Sequence, residues 1–328
     1  MTKKFRPVDP SLHARFTGIR TFMRLPSEEL CEELDFAIVG VPFDTAASFR
    51  AGARFGPEAI RNASPLVRTY SYDHQIDLFE YVSGIDYGDV PVIPGDIHES
   101  YKRMENYLVP LLEKNIVPIV MGGDHSITLG ELRAVAQKYG PVALLQFDSH
   151  ADVGDIHLGM KYTHGTPFRR AVEEGLIDTS HSIQVGLRGS LDGPEEIDDA
   201  TTLGFQVIRS VELFEMGIPK LIKTIKRRVG DAPVFLTFDI DFVDPAFAPG
   251  TGTPEIGGVM SREALQIVRG LTDIHFVAFD VVEVLPMHDQ SNITASLAAN
   301  IIFEMIALLA VQKRNNVNRK SCTARKID

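Results

Sequence analysis

Eight short apolar runs punctuate this 328-residue chain: DFAIVGV, VSGIDYG, IVPIVMGG, VALLQFD, SIQVGL, FQVI, VFLTFDI and HFVAFDVV. No other feature restricts the fold as strongly. Each run is rich in Val, Ile and Phe and nearly continuous in its apolar character, which suits a strand buried on both faces. Between most of them lie helical patterns: YKRMENYLVPLLEKN, LGELRAVAQKYG, PFRRAVEEGL, PKLIKTIKRRVG and SREALQIVRGL. The last is expected to open on Ser261 as its cap, with Glu263 two positions on. Such alternation predicts an α/β fold, a mostly parallel sheet covered by helices on both sides. Ligands of such sheets sit beyond the carboxyl ends of the strands.

With 44% hydrophobic content and no internal repeat, linker or composition break, residues 1–328 read as a single domain. The polar, basic tail VQKRNNVNRKSCTARKID is expected to be poorly ordered toward its end. A formal net charge of -11 argues against nucleic acid or an anionic membrane as partner and favours a small molecule, a cation among the candidates. Two isolated cysteines, Cys31 and Cys322, give neither a disulfide framework nor a thiolate metal site, and a reducing cytoplasm fits. The N-terminal MTKKFRPVDPSLHARF has no apolar segment of the secretory kind. ITASLAANIIFEMIALLAVQ carries Asn300 and Glu304 in its middle, so a buried core helix is expected rather than a membrane span.

Ionisable residues gather where such a fold would place a site. GGDHS delivers His125, FDSHAD delivers Asp148, His150 and Asp152, and FDIDF delivers Asp239 and Asp241, all at the carboxyl ends of expected strands. Taken alone, an Asp-x-His-x-Asp string is equally well a surface strand end. Four converging carboxylates would repel one another, and two divalent cations would hold them ionised. Oxygen and imidazole donors suit Mn²⁺ or another borderline first-row metal. In an extended strand, residues four apart are separated by about 13 Å, so the chain must curl after Asp148, as small Ser149 and Ala151 permit, for Asp152 to share an ion. Glu283, in HFVAFDVVEV, has a plainer alternative as an ion-pair partner of an arginine. His164, in YTHGTPFRR, could be a helix-entry histidine. GARFGPEAIR lacks a P-loop ending and reads as a loop and helix cap.

In order, GARFGPEAIR, GGDHS, FDSHAD, HGTPFRRA, FDIDFVDPAFAPGTGTPEIGG and DVVEV resemble the ureohydrolases, the family of arginase and agmatinase, over about residues 35–313. The agmatinase-like branch is most similar. The resemblance implies a three-layer α/β/α domain with an eight-stranded, mostly parallel sheet, assembled into homo-trimers or homo-hexamers. It implies two metal ions per subunit, chiefly Mn²⁺, with Ni²⁺, Co²⁺ or Zn²⁺ as alternatives. His125, Asp148, Asp152 and Asp239 would hold one ion, and His150, Asp148, Asp239 and Asp241 the other. His164 matches a proton-shuttling histidine, Glu283 the carboxylate that receives a guanidinium, and Asp241 the group that orients the attacking water. The implied reaction is hydrolysis of a small cationic guanidino compound to urea and an amine.

One stretch departs from the pattern. Where arginases place polar residues for the α-carboxylate and α-amine of arginine, this chain has Val153, Gly154 and Met160, which offer no side-chain hydrogen bonds. L-Arginine is therefore disfavoured. Agmatinases often have Thr-Tyr in place of Val153-Gly154, which keeps guanidino acids such as guanidinobutyrate and alkylated guanidines beside agmatine as candidate substrates. An alternative of another class is a metal-binding, non-catalytic subunit of a hetero-oligomer, against which the full ligand set counts.

Overall fold

The computed structural model describes residues 5–191, 193 and 195–324. All eight apolar runs are strands of one sheet: β1 (Phe36–Val41), β4 (Gly84–Asp89), β5 (Val117–Gly122), β6 (Ala143–Phe147), β7 (Ile183–Leu187), β8 (Gln206–Arg209), β9 (Val234–Asp239) and β10 (Phe276–Val282). Their order is β4-β1-β5-β10-β9-β6-β7-β8, and every neighbouring pair is parallel. β2 (Tyr70–Ser71) and β3 (Ile76–Asp77) form a separate antiparallel ribbon too short to show a period in the sequence.

The described residues also form the helices α1 (Gly56–Ala63), α2 (Ile97–Glu113), α3 (Ile127–Tyr139), α4 (Pro167–Glu173), α5 (Glu195–Thr202), α6 (Ser210–Met216), α7 (Ile218–Val229), α8 (Ser261–Arg269) and α9 (Ile293–Ala324). Strand side chains alternate between two cores. Phe36 and Ile38 of β1, with Ile119 and Met121 of β5, face the layer of α1 and α6 to α9. Ala37, Val39 and Val41, with Val120, face the layer of α2 to α5. Burial on both faces is what removes polar alternation from these strands.

One local expectation changes. Ser261 is the first residue of α8 rather than its cap; Met260 takes the cap position, and the Glu263 carboxylate accepts from the Met260 amide at 2.9 Å. Glu263 lies three residues beyond that cap, the spacing at which a side chain reaches back to it. The apolar stretch is indeed a core helix, α9, whose Glu304 is buried and bonded to Arg269 Nε at 2.7 Å. It runs on past Lys313, which pairs with Asp35, and Arg314, which donates to the His74 carbonyl at 3.0 Å, to Ala324. Residues 325–328 lie outside the described ones.

Candidate metal centre

Four adjacent strands, β5, β10, β9 and β6, build the site at their carboxyl ends. β5 and β6 are consecutive sheet strands in the chain but are separated in the sheet by β10 and β9, so the loops diverge there and leave a crevice. The turn after β5 passes through Gly123, at φ +56°, where an added Cβ would meet the Val41 and Phe43 carbonyls at 2.5 and 2.6 Å. Only glycine fits, and that turn brings in His125.

His125 is fully buried, with Nδ1 2.9 Å from Asp152 Oδ2, 3.0 Å from Asp148 Oδ2 and 3.3 Å from Asp239 Oδ2. None of these contacts has hydrogen-bond geometry, and Nδ1 is a buried nitrogen without a hydrogen-bond partner. Nε2 lies 2.8 Å from Thr237 Oγ1, and with the ring proton on Nε2 and Thr237 accepting it, the Nδ1 lone pair would face three carboxylate oxygens. That is a donor set for a cation. A second set lies beside it. His150 Nδ1 is 3.0 Å from Asp241 Oδ2, itself buried without a hydrogen-bond partner, and 3.6 Å from Asp148 Oδ1. Ligand atoms of His125, Asp148 and Asp239, and of Asp148, His150 and Asp241, lie within 4.8 Å of one another in each group, so both groups can hold a metal ion and Asp148 belongs to both.

Burial, followed by the charges of Asp241 and Asp148, pushes Asp239 well above the ordinary carboxylate range. Burial and the charge of Asp148 likewise raise Asp152. A divalent cation between them removes that penalty. The curl expected after Asp148 is present, but its left-handed residue is Asp152 itself, at φ +52°. Ser149 does more than leave room: its amide and hydroxyl both donate to Asp241 Oδ1, at 3.0 and 2.7 Å. Glu283 is also left-handed, at φ +62°, so two candidate site side chains are aimed by sparsely populated backbone.

Glu283 Oε1 accepts from the His125 amide at 2.9 Å and contacts His164 Nδ1 at 2.9 Å. Burial lowers the basicity of the His164 ring, but the bond and charge of Glu283 outweigh it and push the pKa up to about 9. No arginine pairs with Glu283 among the described residues, whereas the His164 ring does take a backbone bond, from the Ser48 amide at 3.1 Å, beside its contact with Glu283. Above the carboxylates opens a cavity of about 430 Å³, lined by His150, Asp152, Asp239 and His164 on one side and by Val153, Gly154, Ile156 and His157 on the other. Met160 is not among its lining residues. The His157–Met160 turn, with Leu158 and Gly159 both left-handed, places His157 on the wall, and Met160 is half-exposed.

Sequence reasoning missed a supporting layer. Gln146 Nε2 donates to Asp148 Oδ2 at 2.8 Å, Gln184 Nε2 donates to the Ala151 carbonyl at 2.7 Å, and Thr237 holds His125. Each is a polar residue inside an otherwise apolar strand run, and that interruption was the available signal. Ser48 and Asp199, also on the cavity wall, sit in segments that carried none, whereas Thr253 lies within FDIDFVDPAFAPGTGTPEIGG.

Comparison with known proteins points to one family. The Arginase family profile matches residues 34–307. The chain is 43% identical to a protein named mitochondrial agmatinase from Gallus gallus, over 92% of this chain and 89% of that one. It is 42% identical to guanidinopropionase of Pseudomonas aeruginosa, over 93% and 96%. The solved structure of proclavaminate amidinohydrolase from Streptomyces clavuligerus superposes with a TM-score of 0.88 at 40% identity, covering 92% of this chain and all of that one. The chain belongs to the arginase family. Within it, the chain is a metal-dependent amidinohydrolase that acts on guanidino compounds.

Proposed function

We propose that the protein hydrolyses a guanidine lacking the α-amino-acid group, agmatine foremost, to urea and an amine, using two divalent ions, Mn²⁺ by preference. The observation that carries this reading is the pair of donor groups sharing Asp148, with the Glu283–His164 pair at the same cavity. His125, Asp148, Asp152 and Asp239 would hold one ion, and Asp148, His150, Asp239 and Asp241 the other. Bound ions supply a water acidic enough to act as a nucleophile near neutral pH. The chain's own residues do the rest. Glu283 takes the guanidinium through charge-assisted bonds. Asp241, held by Ser149, orients the attacking water. His164 returns a proton to the leaving nitrogen. The balance is guanidinium plus water to urea plus alkylammonium.

Substrate choice rests on the wall. Val153 is buried, and the Gly154 amide donates to the Gly165 carbonyl at 3.0 Å, so a Cβ at Gly154 would lie 3.1 Å from that oxygen. The loop is closed where a polar side chain would be needed to meet an α-carboxylate, and unpaired charges are costly to bury. Ile156 and His157 complete this wall. The His157 ring favours a second reading, a short guanidino acid, because it can pair with a carboxylate tail. We further propose a cytoplasmic homo-trimer or homo-hexamer; Leu12, Phe16 and Ile19, more than three-quarters exposed on the N-terminal segment, support an association surface.

Urea release measured as kcat/KM for agmatine, 3-guanidinopropionate, 4-guanidinobutyrate, a dialkylated guanidine and L-arginine tests the reading. Agmatine is expected to rank first and L-arginine well below. L-Arginine in first place would overturn the account of the wall, and no urea from any of them would leave the non-catalytic subunit standing.

A further inference from the structure

The loop after β1 places Ser48 on the cavity wall against the one ring nitrogen of His164 that Glu283 does not take. Two contacts converge there. The Ser48 amide donates to His164 Nε2 at 3.1 Å, and Ser48 Oγ lies 2.7 Å from the same atom. The loop is fixed on either side: the His164 amide donates to the Ala46 carbonyl at 3.1 Å, the Ala46 amide donates to Asp124 Oδ2 at 2.9 Å, and Asp44 accepts from the Gly52 amide at 2.7 Å. Ser48 therefore meets His164 from a rigid platform.

A backbone N–H can only donate, so the amide suits the neutral ring and opposes a proton on Nε2. A hydroxyl can donate to the neutral ring and, by turning, accept from the protonated one. We propose that Ser48 is a positioning residue for His164, its hydroxyl being the contact that lets the ring accept and release a proton at Nε2 without leaving Glu283. The inference rests on the proposed role of His164 as the proton donor to the leaving amine. In that step the Nε2–H bond breaks as an N–H bond forms on the departing amine, and the ring returns to the neutral state that the amide favours. The charged groups bearing on the ring are Glu283 beyond β10, Asp152 beyond β6 and Asp124 beyond β5. None of them bonds Nε2, so the protonated Nε2–H has Ser48 Oγ as its acceptor among the described residues.

The test compares Ser48→Ala and Ser48→Thr in metal-replete protein. The first readout is the kcat–pH profile, and the second is the titration of the His164 ring by NMR in ¹⁵N-histidine-labelled, zinc-loaded protein, with the signal assigned by its loss in His164→Asn. Ser48→Ala is expected to keep its metal and its KM, to lower kcat about tenfold, and to move the ring titration downward by about one pH unit, as loss of one bond to a charged group implies. Ser48→Thr, which keeps the hydroxyl, is expected to recover most of both changes. An unchanged ring titration in Ser48→Ala, or a Ser48→Thr protein that behaves as the alanine variant does, overturns the proposal. Should the wild-type protein release no urea from any guanidine, the functional reading fails, while the ring titration still decides the Ser48 contact.

Discussion

Replacing Glu283 by glutamine removes a charge and very little else. Glu283 Oε1 accepts from the His125 amide and meets His164 Nδ1, both at 2.9 Å, and a carboxamide oxygen can keep both bonds. The lost element is the charge that would face the substrate's guanidinium. A hydrogen bond to a charged group contributes about 1.5–3 kcal/mol, and about 1.4 kcal/mol is a decade, so kcat/KM should fall by about 10-fold to about 150-fold with metal content unchanged. A second consequence concerns pH. In the wild-type protein the His164 ring, raised to about 9, sits above its ordinary value near 6.5. A raised basic group stabilises the fold fully below its unfolded pKa, and that contribution is lost as pH rises through the folded pKa, here between about 6.5 and about 9. The glutamine variant lacks that pH-dependent increment. Urea-release kinetics, metal analysis and thermal unfolding at pH 6 and pH 9.5 measure all three. A metal-replete variant with wild-type kcat/KM, or one whose stability changes with pH as the wild type's does, would refute the reasoning.

Two further substitutions probe the metal centre. Asp239→Asn should abolish activity and reduce metal content, because an amide nitrogen in place of Oδ2 would donate to His125 Nδ1, 3.3 Å away, and occupy the lone pair meant for the ion; retention of two metals and full turnover, by elemental analysis and urea release, would sink the dinuclear reading. Thr237→Val should fold yet hold metal about 10- to about 100-fold more weakly, since His125 Nε2 loses its 2.8 Å partner and the ring its fixed orientation; metal titration by calorimetry reads this, and unchanged affinity would show that Thr237 does not orient the ligand.

The strands were legible because burial on both faces leaves continuous apolar runs, and β1, β5, β6, β9 and β10 each announce themselves that way. The same burial hides what the faces touch, so Gln146, Gln184 and Thr237 read as interruptions until the sheet was assembled. His125, Asp148, His150, Asp152, Asp239 and Asp241 stood out because ionisable groups at successive strand ends are costly unless something compensates them. A four-residue turn with two left-handed positions brings His157 to the cavity wall, a placement that linear proximity to Met160 does not reveal.

Composition and local pattern by themselves determined the α/β class, the eight strands and the core character of α9, and pointed to ionisable residues at strand ends, since each depends on a residue's own polarity and its near neighbours. The order of strands was decided only in the folded protein. Pairing between β5 and β10, or β9 and β6, joins segments about a hundred residues apart or more, through backbone bonds that carry no side-chain signature. That order brings His125 to Asp148 and Asp239, and His164 to Glu283 and Ser48, so the chemistry of the site is a property of the assembled sheet and its loops rather than of any one motif.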